Sequence, residues 1–288
     1  MIQAVGVVIP ARDEEDLLPS CLAAVDLAAR LITGTAVHLI VVADTCNDRT
    51  AALAARAGAT VVEGSMANVG RARLAGAEEL LRRTRALDPA TVWLATTDAD
   101  TLVPPCWLSR QLKHARHGWE AVVGTVTVTD WAGYSPRYQA VYTERYAAGT
   151  EAPGAETART EIAGVEAART EAGVEASWTE AAGVETARVE TGGTARRHPH
   201  VHGANLGVTA AAYLAVGGFS ALRTGEDHAL VRALESAGRR VLRTTDVAVV
   251  TSARRDARAP GGFGHFLTWL EHEVMPGANR GPSRRRTR

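Results

Sequence analysis

The chain has 288 residues, of which 46% are hydrophobic and 22% charged, a composition typical of a folded domain rather than a disordered chain. Its 32 basic residues balance its 32 acidic residues, which argues against a chain-wide surface for nucleic acid. No apolar run approaches the roughly 20 residues of a membrane span, and the N-terminal residues do not resemble a secretory signal. We therefore expect a cytoplasmic protein with no transmembrane segment and with its three cysteines as free thiols.

The zero net charge hides two segments of opposite sign. Nine Glu and three Arg lie between Glu151 and Glu190, whereas Arg280 to Arg288 hold five Arg and no acid. The Glu residues recur mostly every five positions, an advance of about 500° along a helix, which keeps no face apolar. We expect residues 151–197 to be a disordered low-complexity insertion and residues 276–288 a disordered basic tail. The alternatives are a partner-binding insertion and a tail that contacts nucleic acid or anionic lipid.

Segments typical of strands and helices alternate along the chain, a pattern that predicts an α/β fold. Short apolar runs predict strands at residues 4–10, 38–43, 60–63, 91–97, 121–128, 241–244 and 247–251. Apolar residues at helical spacing predict helices at residues 14–31, 49–57, 69–84, 107–117, 226–237 and 263–274. We therefore predict three α/β/α layers with a mostly parallel central sheet.

Acidic residues follow three of the predicted strands, at the edge where ligands of parallel sheets bind. They lie in Pro10 to Glu15, in Asp44 to Asp48, and at Asp98 and Asp100. Carboxylates in these positions can bind a base or a ribose, or hold a divalent cation. Asp48 is more typical of a helix N-cap, whereas Asp44 is the better ligand candidate.

The spacing of Asp98 and Asp100 lets both carboxylates face one site. Such hard oxygen ligands suit Mg²⁺ or Mn²⁺, which also bind diphosphate oxygens. A competing metal site is offered by His198, His200 and His202, which would share one face of an extended segment and could bind zinc.

Six motifs together resemble the family 2 glycosyltransferases, which have a nucleotide-diphospho-sugar transferase (GT-A type) fold. The motifs are Val8 to Glu15, Val41 to Asp48, Asn68 to Arg73, Asp98 to Asp100, His202 to Asn205 and Gly225 to Asp227. The resemblance implies an inverting, metal-dependent enzyme that moves a sugar from a nucleotide-diphosphate donor to an acceptor hydroxyl. It also implies that residues 1–150 bind the nucleotide-sugar and the metal, and that residues 198–275 bind the acceptor within the same domain.

The resemblance further implies a role for individual residues. The nucleotide-sugar would contact Pro10, Ala11, Asp13, Glu14, Asp44, Gly70, Arg71 and Asp98. The Mn²⁺ or Mg²⁺ ion would be held by Asp98, Asp100 and His265. The acceptor would contact His202, Gly203, Asn205 and Glu226, with Asp227 as the general base that takes the hydroxyl proton. Ala43 stands where the family often has a further acid, and Asp13 where Asn is frequent, so the nucleotide is left open.

Two other functions remain open. A non-catalytic nucleotide-sugar-binding or scaffold protein would use the acidic insertion as its interacting segment. A sugar-phosphate nucleotidyltransferase would need a Gly-rich, basic loop after the first strand, which Pro10 to Asp13 does not supply. Near the C-terminus, Arg254, Arg255 and Arg258 could bind a diphosphate or form a solvated loop.

Overall fold

The computed structural model describes residues 1–147, 198–222, 224–254 and 263–274. The strands of these residues are β1 (Ala4–Ala11), β2 (Ala36–Asp44), β3 (Thr60–Gly64), β4 (Val92–Thr96), β5 (Thr101–Leu102), β6 (Ala121–Val128), β7 (Leu206–Thr209) and β8 (Val241–Thr251). The helices are α1 (Leu18–Arg30), α2 (Thr50–Arg56), α3 (Val69–Arg83), α4 (Trp107–Arg116), α5 (Pro136–Ala147), α6 (Ala210–Ala215), α7 (Glu226–Ser236) and α8 (Phe263–Val274). The insertion predicted at 151–197 and the tail predicted at 276–288 lie outside the described residues.

All eight strands form one sheet in the order β3-β2-β1-β4-β7-β6-β8-β5. The strands β1 to β4 are parallel, as predicted. The sheet is mixed and not mostly parallel as predicted, because β7 runs antiparallel to both β4 and β6, and β5 runs antiparallel to β8, while β6 and β8 pair in parallel. Both β6 and β7 are largely buried and consist of apolar residues with a few Gly and Thr, a pattern that does not record strand direction.

The core has two main parts, one on each face of the sheet. Along β1, Val5, Val7 and Ile9 pack with α1, α2 and α4, whereas Ala4 and Val8 pack on the other face with α3, α6 and α7. Successive side chains of a strand point to opposite faces, so one apolar run supplies both layers. The three α/β/α layers are confirmed.

A third apolar cluster lies between α5 and α8. It is rich in aromatic rings, with buried Tyr138 and Tyr142 on α5 and buried Phe266 on α8. Neither α5 nor the short strand β5 was predicted. The two strands predicted at 241–244 and 247–251 are one continuous strand, β8.

The helix α3 lies close to the sheet and begins at a capping residue. The side chain of Asn68 accepts the backbone N–H of Arg71 at 2.9 Å, which satisfies a free donor of the first turn. A Cβ atom on Gly76 would lie 2.4 Å from Cγ1 of Val8, so glycine at this position permits the contact between α3 and β1. The start of α3 is thereby fixed beside the ends of β1 and β2.

Two predictions about individual features can be compared with the structure. Cys21, Cys46 and Cys106 are free thiols, as predicted. In the part of the chain that the structure describes, every helix is too short or too polar to cross a bilayer.

Candidate active site

Five predicted site residues gather where β1 and β4 end and where α7 begins. We call this group the acidic cluster, and its members are Glu14, Asp98, Asp100, Glu226 and Asp227. Arg73, from α3, forms ion pairs with Asp98 and Glu226. Arg254, which follows β8, forms ion pairs with Glu14 and Asp100. Since five carboxylates face two guanidinium groups, the cluster has a surplus of negative charge.

The predicted metal ligands Asp98 and Asp100 lie within this cluster. Burial and the nearby charge of Asp98 raise the pKa of Asp100 to about 6, against the opposing effect of Arg254. A cation beside two carboxylates would favour their charged forms. Two carboxylates suit Mg²⁺, which keeps several waters and binds substrate phosphates. The carboxylate oxygens and the surplus negative charge therefore fit Mg²⁺ or Mn²⁺. The side chain of His265, the third predicted ligand, lies outside the described residues.

A second group that could hold a cation lies on the loops after β1 and β2. Ligand atoms of Asp13, Cys46 and Asp48 lie within 4.8 Å of one another. The carboxylate of Asp48 already accepts hydrogen bonds from the backbone N–H groups of Thr50 and Glu15, both at 2.9 Å. Burial opposes the charged form of Asp48, but the hydrogen bond from the Thr50 hydroxyl, together with those from the two N–H groups, lowers its pKa below the ordinary value. Arg49, and not Asp48 as predicted, occupies the N-cap position of α2, but Asp48 binds the first residue of the helix, Thr50, and ties the two loops together.

Asp13 joins the same two loops. Its carboxylate accepts the backbone N–H of Asn47 at 2.7 Å, and its own backbone has a φ angle of +50°. Asp and Asn adopt this left-handed conformation more readily than most residues. Pro10 and Ala11 precede it at the end of β1, where Pro10 is partly exposed and Ala11 is buried.

Asp44 ends β2 and is almost fully buried. One carboxylate oxygen accepts the backbone N–H groups of Met66 and Ala67 at 2.6 and 3.0 Å, and the other accepts that of Asn68 at 3.0 Å. The hydroxyl of Thr45 donates a fourth hydrogen bond. Asp44 therefore holds the loop before α3, and any effect on a nucleotide would act largely through the shape of that loop.

The first turn of α3 packs against the segment that leads to α7. A Cβ atom on Gly70 would lie 2.6 Å from the carbonyl oxygen of Ser220 and 2.7 Å from that of Leu222. Glycine is needed here because both contacts are with backbone atoms, which cannot move aside. The side chain of Arg71 is exposed on the same turn.

Gly203 and Asp227, which were predicted to act on the acceptor, contact each other directly. The backbone N–H of Gly203 donates to Oδ2 of Asp227 at 2.7 Å, and its carbonyl accepts the hydroxyl of Thr96 at 2.6 Å. The other oxygen of Asp227 accepts the N–H of His228 at 2.8 Å. Both oxygens of Asp227 keep unused lone pairs in these contacts, which a proton acceptor requires.

Asn205 faces the protein interior instead of an acceptor. Its amide oxygen accepts the indole N–H of Trp107 at 2.9 Å, and its amide nitrogen donates to the carbonyls of Thr125 and Val247 at 2.8 and 2.9 Å. The side chain has no exposed surface. It links α4, β6 and β8, and the sequence could not distinguish this role from ligand binding.

The three alternating histidines lie on one strand-like segment with their rings stacked. Neighbouring ring centres are 6.0 and 5.8 Å apart, and the Nε2 atoms of His198, His200 and His202 contact different oxygen atoms of the chain. Such contacts argue against a shared zinc ion. Burial lowers the pKa of His202 to about 3, against the opposing charge of Asp227, so His202 is neutral at pH 7.

Arg73 is the main site residue that sequence reasoning missed. It lies on the buried face of α3 together with Gly70, Ala77 and Leu80. This spacing of three, four and three residues is that of one helix face, so the pattern could have identified a buried charge in need of partners.

Comparison with known proteins supports the resemblance to family 2 glycosyltransferases. Residues 6–163 match Glycosyl transferase family 2. No curated protein matches the chain. The family match includes four of the six motifs and ends before the residues that supply Glu226 and Asp227.

Solved structures of glycosyltransferases have a similar fold. TarS 1-349 from S. aureus, in complex with UDP-GlcNAc, is 11% identical over 94% of this chain and 65% of that chain, with a TM-score of 0.56. The mannosyltransferase PcManGT from Pyrobaculum calidifontis, in complex with GDP-Man and Mn²⁺, is 16% identical over 95% of this chain and 70% of that chain, with a TM-score of 0.52. Glucosyl-3-phosphoglycerate synthase from Mycobacterium tuberculosis matches with 22% identity over 43% of this chain and 44% of its own length, with a TM-score of 0.32. The first two similarities confirm the GT-A type fold.

Proposed function

Since this chain belongs to glycosyl transferase family 2, we propose that it moves a sugar from a nucleotide-diphosphate donor to an acceptor hydroxyl. The reaction inverts the sugar carbon and uses Mn²⁺ or Mg²⁺. The observation that carries the proposal is the acidic cluster, in which Asp98 shares Arg73 with Glu226, the chain neighbour of Asp227. Asp100 lies two residues after Asp98 and pairs with Arg254. Residues 1–150 bind the donor and the cation, and residues 198–275 bind the acceptor.

The donor side is formed by the loops at the ends of β1, β2 and β4. Asp98 and Asp100 hold the divalent cation, and Asp98 also faces the ribose. When bound, the cation supplies positive charge that stabilises the leaving diphosphate. The loop that Asp44 fixes before α3 borders the nucleotide.

Asp227 acts on the acceptor side as the general base. Its carboxylate takes the hydroxyl proton while the acceptor oxygen bonds to the sugar carbon and the bond to the diphosphate breaks. The diphosphate leaves with the electron pair of the broken bond. A carboxylate is a weak base for an alcohol, so proton transfer has to accompany the attack. A single displacement of this kind inverts the sugar carbon.

The test is release of nucleoside diphosphate from UDP-glucose, UDP-N-acetylglucosamine and GDP-mannose with Mn²⁺, with water as the acceptor. The native chain should release UDP or GDP, and Asp227→Asn and Asp100→Ala should lower the rate at least about 100-fold. Asp26→Asn is the matched control, because Asp26 lies on the exposed surface of α1 in an ion pair with Arg30. Nucleotide binding with no release from any donor would contradict catalysis and favour a non-catalytic nucleotide-sugar-binding protein.

A further inference from the structure

Arg73 is a charged residue enclosed in the middle of the site. Its side chain is 4% exposed, and a Cβ atom on Gly203 would lie 2.4 Å from its guanidinium carbon. The backbone of Gly203 therefore lies directly against the guanidinium group. A larger residue at position 203 would have to displace Arg73.

The two terminal nitrogens of Arg73 bind carboxylates from distant parts of the chain. One donates to Asp98, which follows β4, and the other to Glu226, the first residue of α7. The guanidinium group is planar and rigid, so it holds both carboxylates in fixed relative positions. A lysine ammonium could keep the charge but could not reproduce this two-armed geometry.

Arg73 contacts two residues that help to hold Asp227 in place, Glu226 and Gly203. Glu226 precedes Asp227 in the chain and pairs with Arg73. Gly203 donates its N–H to Asp227 and packs on the guanidinium group. A shift of Arg73 would therefore move Asp227 relative to Asp98.

We propose that Arg73 is a positioning residue, which sets the place of the base Asp227 relative to the donor-side carboxylate Asp98. This inference rests on the proposed function. Arg73 is 4% exposed and its terminal nitrogens already bind Asp98 and Glu226, so it acts through these carboxylates and through Gly203. Its replacement should slow the chemical step and leave nucleotide binding nearly unchanged.

Arg73→Lys is the informative variant, because a neutral residue would leave Glu226 buried without its partner. With whichever of the three donors is hydrolysed by the native chain, we expect kcat to fall at least about tenfold. We expect the donor KM, and the Kd for UDP or GDP with Mn²⁺ measured by calorimetry, to change less than about threefold. Arg82→Lys is the matched control on α3, since Arg82 is exposed and pairs with Glu79, and it should keep the native kcat.

A double-mutant cycle with Glu226→Gln tests whether Arg73 affects kcat through Glu226. If Arg73 acts through Glu226, the loss in log kcat for the double variant should be clearly smaller than the sum of the single losses. Additive losses, or a native kcat in Arg73→Lys, would overturn the inference while the proposed function stands. If Arg73→Lys does not fold, Glu226→Gln alone tests the inference: a lower kcat with unchanged nucleotide affinity supports it, and a native kcat overturns it. A native chain that hydrolyses no donor overturns both proposals.

Discussion

Arg254 binds Glu14 across 240 positions of the chain with both terminal nitrogens. One nitrogen lies 2.6 Å from Oε2 of Glu14, and the second contacts Oε1 of Glu14 and lies 3.1 Å from Oδ2 of Asp100. The end of β8 is thus tied to the loop after β1, directly beside a predicted cation ligand. The positive charge of Arg254 therefore lies where it would repel a divalent cation bound to Asp100.

Replacing Arg254 should strengthen cation binding. In Arg254→Met, the affinity for Mn²⁺ alone should rise about tenfold, because a nearby positive charge is removed from a partly buried site. Isothermal titration calorimetry measures the effect, with Arg30→Met on the surface of α1 as the control. Weaker Mn²⁺ binding in the variant would mean that Arg254 orders the carboxylates instead of competing for them.

The raised pKa of Asp100 predicts a pH-dependent cost in stability. Its pKa of about 6 lies above the ordinary value of 3.8, so between these values the folded chain binds more protons than the unfolded chain. Stability therefore falls as pH rises through this window, by up to about 3 kcal/mol. Without cations, Asp100→Asn should be more stable than the native chain at pH 8, and this advantage should disappear near pH 3.5.

Urea unfolding at both pH values, with a chelator present, measures this difference. Asp26→Asn, at the exposed ion pair on α1, is the control and should show no such pH dependence. If the stability difference between Asp100→Asn and the native chain is the same at both pH values, the raised pKa of Asp100 is contradicted.

Asn205 should matter for stability and not for nucleotide binding. Asn205→Ala removes the partner of the buried indole N–H of Trp107 and leaves two backbone carbonyls without their donor. We expect the free energy of unfolding to fall by about 2–4 kcal/mol. The exposed Asn47 offers a control in Asn47→Ala. A variant with native stability would show that these hydrogen bonds contribute little.

Asp44 should control the order of the loop before α3. In Asp44→Ala, the N–H groups of Met66, Ala67 and Asn68 lose their shared acceptor, so their hydrogen exchange should accelerate about tenfold or more. Exchange measured by NMR or mass spectrometry would report this locally, with amides of β6 as the internal reference. Unchanged protection of these three amides would contradict the role of Asp44 as the loop anchor.

The sequence predicted the first half of the fold well, because local patterns determine it. The apolar runs of β1 and β2 and the helical spacing of α3 depend on residues close together in the chain. The acids at the strand ends could be placed at one edge because the sheet is parallel there.

The contacts that complete the site depend on residues far apart in the chain. Arg73 and Glu226 are separated by 153 positions, and no local pattern indicates that they meet. The direction of β7 was equally hidden, since it is set by pairing with β4 and β6. Alternation of polar and apolar residues marks the buried face of a strand and not its direction. The amide of Asn205 could be assigned to the interior only once α4, β6 and β8 were in place around it.

The position of β7 has a consequence for the order of folding. Thr96 bonds the carbonyl of Gly203, 107 positions later, and Thr96 pairs with Leu206 as β7 joins β4. When the ribosome has made only the first 150 residues, β4 has one unpaired edge, and unpaired edges attract strands of other chains. The site is therefore completed late in synthesis, when β7 pairs with the free edge of β4 and joins it to β6.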